Sequence, residues 1–181
     1  SAFVLNCPLS NWDDENRFLR SLRPVQAVRD MMAPVHRPND VSAHVRMVGG
    51  QDYEHLAFEA TDNWTEEDHK LTDFWRKKSH FKHFITRLDT LISEGLAERI
   101  FLAADKPETY AEFKACFGDR VVMLEREVYD RSAEQLRYAL ADVLLLGSSP
   151  LLLGSSWSSF SELAMRMSPH KMDFEMSGKD F

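Results

Sequence analysis

The feature that most limits what this chain can fold into is a regular change of hydrophobic period. From about residue 22 onward, helix-like and strand-like stretches alternate. Only a layered α/β fold accommodates that pattern, because each strand needs a connecting helix to cover it. Pro24 sits where a first-turn proline belongs, and Val25, Val28, Met32 and Val35 follow at helical spacing, with Pro34 and Pro38 ending the run. Residues 41–46 read as a short buried strand running into Gly49-Gly50. Phe81, Phe84, Ile85, Leu88, Leu91, Ile92 and Leu96 trace one helical face. Residues 99–104 form the next strand, with Asp105 at its C-terminal end. Pro107 opens a helix that closes at Phe117, with Gly118 in the C′ position. Residues 121–124 make a third strand, and Ser132-Ala-Glu-Gln135 is a capping box for a helix with the apolar face Leu136, Ala139, Leu140, Val143 and Leu144. Residues 151–153 are a fourth strand, followed by a helix from about 159 to 167.

This order implies right-handed crossovers and a mostly parallel sheet over residues 22–167. Residues 1–21 read as an N-terminal extension or interdomain linker, and 168–181 as a C-terminal tail. The stretch from Gln51 to Lys78 is polar and tryptophan-bearing without a clear period, and reads as a long functional loop with a helical turn. In parallel sheets ligands bind beyond the C-terminal strand ends. That rule selects three short segments, His44–Gly50, Ala104–Asp105 and Gly154–Phe160.

Charge and cysteine usage narrow the chemistry. Acidic side chains outnumber basic ones, 29 to 22, so the chain carries −7 and repels nucleic acid and anionic membranes over most of its surface. Asp142 and Pro150 interrupt the most apolar stretch, so no membrane span is expected. Cys7 and Cys116 are two isolated cysteines, without a disulfide framework or a zinc spacing. No DxD motif, Walker A loop, GxGxxG fingerprint or GxSxG elbow occurs, and His80 and His83 lack a third metal ligand. Any phosphate site must therefore be built from arginines and backbone amides.

Each selected segment admits two readings. Gly154-Ser-Ser-Trp-Ser-Ser-Phe160 joins a strand to a helix start, where free amides and the helix dipole favour an anion. Ser158 or Ser159 serves equally as an ordinary helix cap. In His44-Val-Arg46 alternation puts His44 and Arg46 on one side of the strand, the arginine suited to phosphate and the histidine to a base or sugar. An arginine paired with a nearby carboxylate and a satisfied core histidine fit the same pattern. Asp105 caps a helix or faces a ligand. Asp142 interrupts a core-like helix face, so its carboxylate needs a partner, either a structural arginine or a polar ligand such as a guanine edge. Trp64 and Trp75 suit an acceptor-binding wall or an amphipathic lid.

Taken in order, His44-Val-Arg46, Phe101-Leu-Ala-Ala-Asp105-Lys-Pro107, Ala139-Leu-Ala-Asp142 and Leu152-Leu-Gly-Ser-Ser-Trp-Ser-Ser-Phe160 resemble the C-terminal nucleotide-binding domain of GDP-fucose-dependent fucosyltransferases. The families concerned are the α1,2-, α1,6- and protein-O-fucosyltransferases. The resemblance implies a Rossmann-like three-layer α/β domain with a mostly parallel sheet, one half of a GT-B glycosyltransferase. It implies inverting, metal-independent transfer from a GDP-sugar, GDP-fucose above all, to a glycan or protein acceptor. The acceptor would be held largely by an N-terminal domain absent from this chain. By the same resemblance Arg46 binds the β-phosphate and stabilises the departing GDP, and His44 and Asp142 read guanine. Ser158, Ser159 and Phe160 hold the diphosphate, and Asp105 lies at the site. Glu54 stands eight residues past Arg46, where the α1,6 branch places its catalytic base. Met47-Val-Gly-Gly50 departs from the basic residue and aspartate that usually follow the HxR motif. A non-catalytic α/β nucleotide-binding or protein-interaction module is the alternative. Asn63-Trp-Thr65 is a glycosylation sequon, which fits a Golgi or endoplasmic-reticulum lumen; a bacterial homologue would be cytoplasmic.

Overall fold

Five parallel strands in the order β3-β2-β1-β4-β5 form the centre of the protein. The computed structural model describes residues 12–35, 38–48, 65–126 and 132–181. The strands are β1 (Val41–Val45), β2 (Ile100–Ala104), β3 (Val121–Val122), β4 (Leu151–Gly154) and β5 (Asp173–Met176). The helices are α1 (Trp12–Ser21), α2 (Gln26–Met32), α3 (Glu66–Lys78), α4 (Phe81–Ser93), α5 (Pro107–Phe117), α6 (Ala133–Leu146) and α7 (Ser159–Met167). The chain winds outward from β1 through β2 to β3, then crosses back to β4 and β5. The order therefore reverses between β1 and β4, and the C-terminal ends of those two strands flank a crevice. No helix among the described residues is long and apolar enough to cross a membrane.

Alternation along β1 divides the core. Val41, Ala43 and Val45 pack with Phe84, Leu88, Leu91 and Phe113 beneath α4 and α5. Ser42 and His44 face the opposite layer, where α2, α6 and α7 bury Val28, Met32, Val143, Leu145, Leu146 and Ala164. Burying each such aliphatic or aromatic side chain contributes roughly 1.5–3 kcal/mol, which both layers need to hold a sheet covered on two faces.

Four expectations change. Residues 168–181 are no free tail: Asp173–Met176 pairs with β4 as the edge strand, and Phe181 meets the buried Phe84 ring edge-on at 5.1 Å. An edge strand exposed along one side has no continuous apolar run, so Asp-Phe-Glu-Met reads as tail. Within residues 1–21, Trp12–Ser21 is a helix docked on α7 through Arg166 and through Arg20, whose Nε donates to the Arg166 carbonyl at 3.1 Å. Arg166, itself buried, donates to Glu15 at 2.6 Å and Asn16 at 2.7 Å, and its guanidinium lies 4.6 Å from the Trp12 ring centroid. The polar stretch before Lys78 contains a full 13-residue helix, α3. It fully buries no side chain, which is why it lacks a period; Thr65 and Asp68 cap it reciprocally and Arg76, Lys77 and Lys78 oppose its C-terminal dipole. Pro24 also shifts by two places, since Val25 is the N-cap of α2.

Candidate functional site

The strand ends at the crevice between β1 and β4 are joined by hydroxyl groups. Gly154 ends β4, and a Cβ there would run into the Phe174 ring and Ser161 Cβ, so only glycine lets the strand, α7 and β5 meet. The Ser155 hydroxyl donates to the His44 carbonyl at 2.9 Å and accepts from the Arg46 amide at 2.8 Å, tying the two strand ends together. The Ser156 hydroxyl donates to the Ser177 carbonyl at 2.6 Å, and the Ser177 hydroxyl lies 3.0 Å from that of Ser79, which follows α3. These bonds fasten the β4–α7 turn to β5 and to the end of α3. Trp157, at φ +55°, is the one non-glycine residue in left-handed backbone among those described.

His44 is buried against this turn. Its Nδ1 lies 2.7 Å from the Ser161 hydroxyl, and its ring packs 4.7 Å from that of Phe160. Ser161 Oγ also accepts from the Ser155 amide at 3.2 Å, and the direction of its bond with Nδ1 follows the tautomer of the ring. Burial, reinforced by the positive charges of Arg46 and then Arg76, lowers the His44 pKa to about 3. The imidazole is a neutral donor at physiological pH.

Arg46 leaves β1 on the same side. Its Nη1 lies 3.3 Å from Asp105 Oδ2, the two side chains being 28% and 12% exposed. The Asp105 carboxylate also accepts from the amides of Met47, at 3.0 and 3.1 Å, and Val48, at 2.8 Å. Asp105 thus folds the segment after β1 and aims Arg46, with its acceptor capacity turned on the protein. Ser158 occupies the N-cap of α7 but makes no side-chain capping bond, and Glu162 N–H is the first amide of the helix to reach a carbonyl, that of Ser158 at 3.3 Å. The amides of the first turn of α7 therefore stand at the crevice, beside Ser158, Ser159 and Phe160.

Asp142 belongs to the layer above. The Ser42 hydroxyl donates to the Leu146 carbonyl at 2.7 Å, which fixes the height of α6 over β1. One helical turn earlier in α6, about 6 Å, corresponds to two residues further along β1, about 6.6 Å, so Asp142 stands level with His44. Its Oδ2 accepts from Arg126 at 2.5 Å, and Arg126 lies over Tyr138 at 5.0 Å. Oδ1 is buried with no hydrogen-bond partner among the described residues. Burial raises the Asp142 pKa to about 6 against the opposing pull of Arg126. Both sequence readings of Asp142 thus retain support: an arginine partner is present, and one oxygen is left over.

Arg76, on α3, escaped the sequence reading because it appears there only as one cation of Arg76-Lys-Lys78. Its Nη2 donates to the Trp157 carbonyl at 3.4 Å, and Trp75 beside it packs 6.0 Å from Trp157. Burial, then Arg46, lowers its pKa to about 10, with Asp105 opposing. Thr65-Glu-Glu-Asp68 followed by a basic close was the signal that could have revealed the helix, though nothing in the sequence marks the arginine. Glu54, Gly49-Gly50, Trp64 and Asn63 lie outside the described residues. His80 caps α4, accepting at Nδ1 from the Lys82 amide at 3.3 Å. At the opposite end of the strands a cavity of about 480 Å³ is lined by Asp40, Glu98, Arg99, Asp119 and Arg120, but Asp40 spends its Oδ2 on the amides of Glu98 and Arg99.

No protein-family profile and no curated protein matches the sequence. Solved structures do match the fold. The chain aligns with POFUT1 in complex with GDP at a TM-score of 0.55 and 17% identity, covering 90% of this chain and 51% of that one. Against POFUT1 in complex with GDP-fucose the TM-score is 0.55 and the identity 16%, with 90% and 49% covered. NodZ alpha-1,6-fucosyltransferase soaked with GDP-fucose aligns at 0.55 and 15%, with 91% and 50% covered. At such identities the likeness is one of fold: a Rossmann-like α/β domain of the kind found in these fucosyltransferases. The chain spans about half the length of the chains it matches.

Proposed function

We propose that this chain is the donor-binding half of a fucosyltransferase-like glycosyltransferase and that its crevice holds a GDP-sugar, GDP-fucose in the first instance. The observation that carries the reading is the facing of His44 and Arg46, at the end of β1, by the uncapped start of α7 across the reversal of strand order. A neutral imidazole suits a base or sugar, and a guanidinium beside free helix-terminal amides suits phosphate. Asp142 Oδ1 is an acceptor for the guanine N1–H and exocyclic amine. In the reaction an acceptor hydroxyl attacks the anomeric carbon in line, and the bond from that carbon to the β-phosphate oxygen breaks. The electron pair passes to GDP, which Arg46 and the α7 amides stabilise without a metal, and the hydroxyl proton passes to a base, for which Glu54 is the candidate. Preorganised donors of this kind are each worth on the order of 10²–10³ in rate. Acceptor binding and turnover require the half of the enzyme that this chain does not span.

Calorimetric titration with GDP, ADP and UDP tests the reading. A clear preference for GDP is expected, and equal affinity for the three would remove the guanine assignment. The alternative, a non-catalytic α/β interaction module, draws on the Arg46–Asp105 and Arg126–Asp142 pairs, which give each arginine a carboxylate partner within the fold. It expects no nucleotide binding at all, with Arg46→Ala changing stability alone.

A further inference from the structure

The guanidinium of Arg76 is an anomaly inside the fold. Its Nε and Nη1 are buried with no hydrogen-bond partner among the described residues, and its one bond is the long one to the Trp157 carbonyl. Leaving charged donors buried and unpaired is costly. The groups around it do not relieve that cost. Arg46 repels it, His44 is neutral, and Asp105 is engaged by Arg46 and by the Met47 and Val48 amides. The start of α7, which follows Trp157 directly, adds the positive end of a helix dipole. Among the described residues, two guanidiniums and a helix N-terminus stand against one committed carboxylate, an excess of about one and a half positive charges that suits an anion.

The position is also a rigid one. The capping box starts α3, and Ser177, bonded through its hydroxyl to the Ser79 hydroxyl and the Ser156 amide, fastens the helix end to the very turn that carries Trp157. A side chain held this way is preorganised for a ligand laid over that turn.

Resting on the nucleotide-sugar reading above, we propose that Arg76 is a second diphosphate-binding cation, which together with Arg46 spans both phosphoryl groups of a nucleoside diphosphate and confers selectivity for diphosphate over monophosphate. Arg46 reaches the crevice from β1 and Arg76 from α3, so the two forks approach from different elements. A monophosphate would meet one of them, while a diphosphate meets both.

The test uses the full chain with GDP, GMP, guanosine and inorganic pyrophosphate as probes, titrated calorimetrically into the wild type, Arg76→Gln and Arg76→Lys. Arg76→Gln is expected to weaken GDP and pyrophosphate by about ten- to a hundredfold, the effect of a lost charge-assisted hydrogen bond, while guanosine is unchanged. The ratio of GDP to GMP affinity should collapse, and Arg76→Lys should restore part of it, keeping the charge without the fork. Thermal unfolding of the ligand-free Arg76→Gln protein should match or exceed the wild type, because an unpaired buried charge has been removed. An unchanged pyrophosphate affinity, or equal weakening of guanosine and GDP, overturns the inference. Pyrophosphate binding through Arg76 without preference for GDP over ADP refutes the guanine reading and leaves this inference standing. A GDP preference independent of Arg76 does the reverse.

Discussion

Acid should destabilise this protein through His44. The ordinary imidazole pKa of 6.5 falls to about 3 in the fold, burial being the main cause and the charges of Arg46 and Arg76 the next. The folded state therefore refuses a proton that the unfolded chain accepts, so the stability it confers is present above about pH 6.5 and lost progressively as pH falls toward 3. At about 1.36 kcal/mol per unit, acidifying to pH 5 costs about 2 kcal/mol from this residue. Asp142 acts with the opposite sign, since its raised pKa of about 6 lets the folded state take up a proton first and gain stability below pH 6. The wild-type curve alone mixes the two, and comparison with His44→Gln separates them. At pH 7.5 the variant should be about 1–2 kcal/mol less stable, having lost the imidazole's bond to Ser161 and its packing on Phe160. At pH 5 that gap should close by about 2 kcal/mol, so that the curves meet or cross. Urea unfolding followed by circular dichroism at pH 7.5, 6 and 5 measures it. A gap that stays constant across this range would refute the account of His44 as a buried neutral donor.

Arg46→Ala should weaken GDP by about ten- to a hundredfold and guanosine hardly at all, as calorimetry would show. Asp142→Ala leaves Arg126 buried without its carboxylate and should cost about 3–5 kcal/mol in urea unfolding, whereas Asp142→Asn should remain folded and lose preference for GDP over ADP. Gly154→Ala drives a methyl into Phe174 and Ser161 and should cost about 1–3 kcal/mol, measurable as a lowered thermal midpoint. Ser158→Ala should change stability by less than about 0.5 kcal/mol, because that hydroxyl caps nothing, yet it should weaken GDP in the same titration.

The residues of this chain determined by themselves whatever depends on neighbours in sequence. Pro107 and Gly118 bound α5, Ser132 caps α6, and alternation in residues 41–45 splits β1 into a Val/Ala face and a Ser/His face. These are local effects of backbone sterics, capping and periodicity, and they place His44, Arg46, Asp105 and Ser158 at strand or helix ends without reference to the rest of the fold. The tertiary structure alone decided which of those ends meet. Strand order brings β1 beside β4 and not β3, and so sets Arg46 near Ser155 and the start of α7. It gave Asp105 to the Met47 and Val48 amides, and Arg126 to Asp142, since an ion pair is chosen by distance in space and sequence carries no record of it. It also recruited α3 and β5, whose polar sequences have no period because one helix fully buries no side chain and one strand lies at an edge. Arg76 is the sharpest case. A cation in a run of cations looks solvated in sequence, and only its place between α3 and the Trp157 turn leaves two of its donor nitrogens buried with no partner among the described residues.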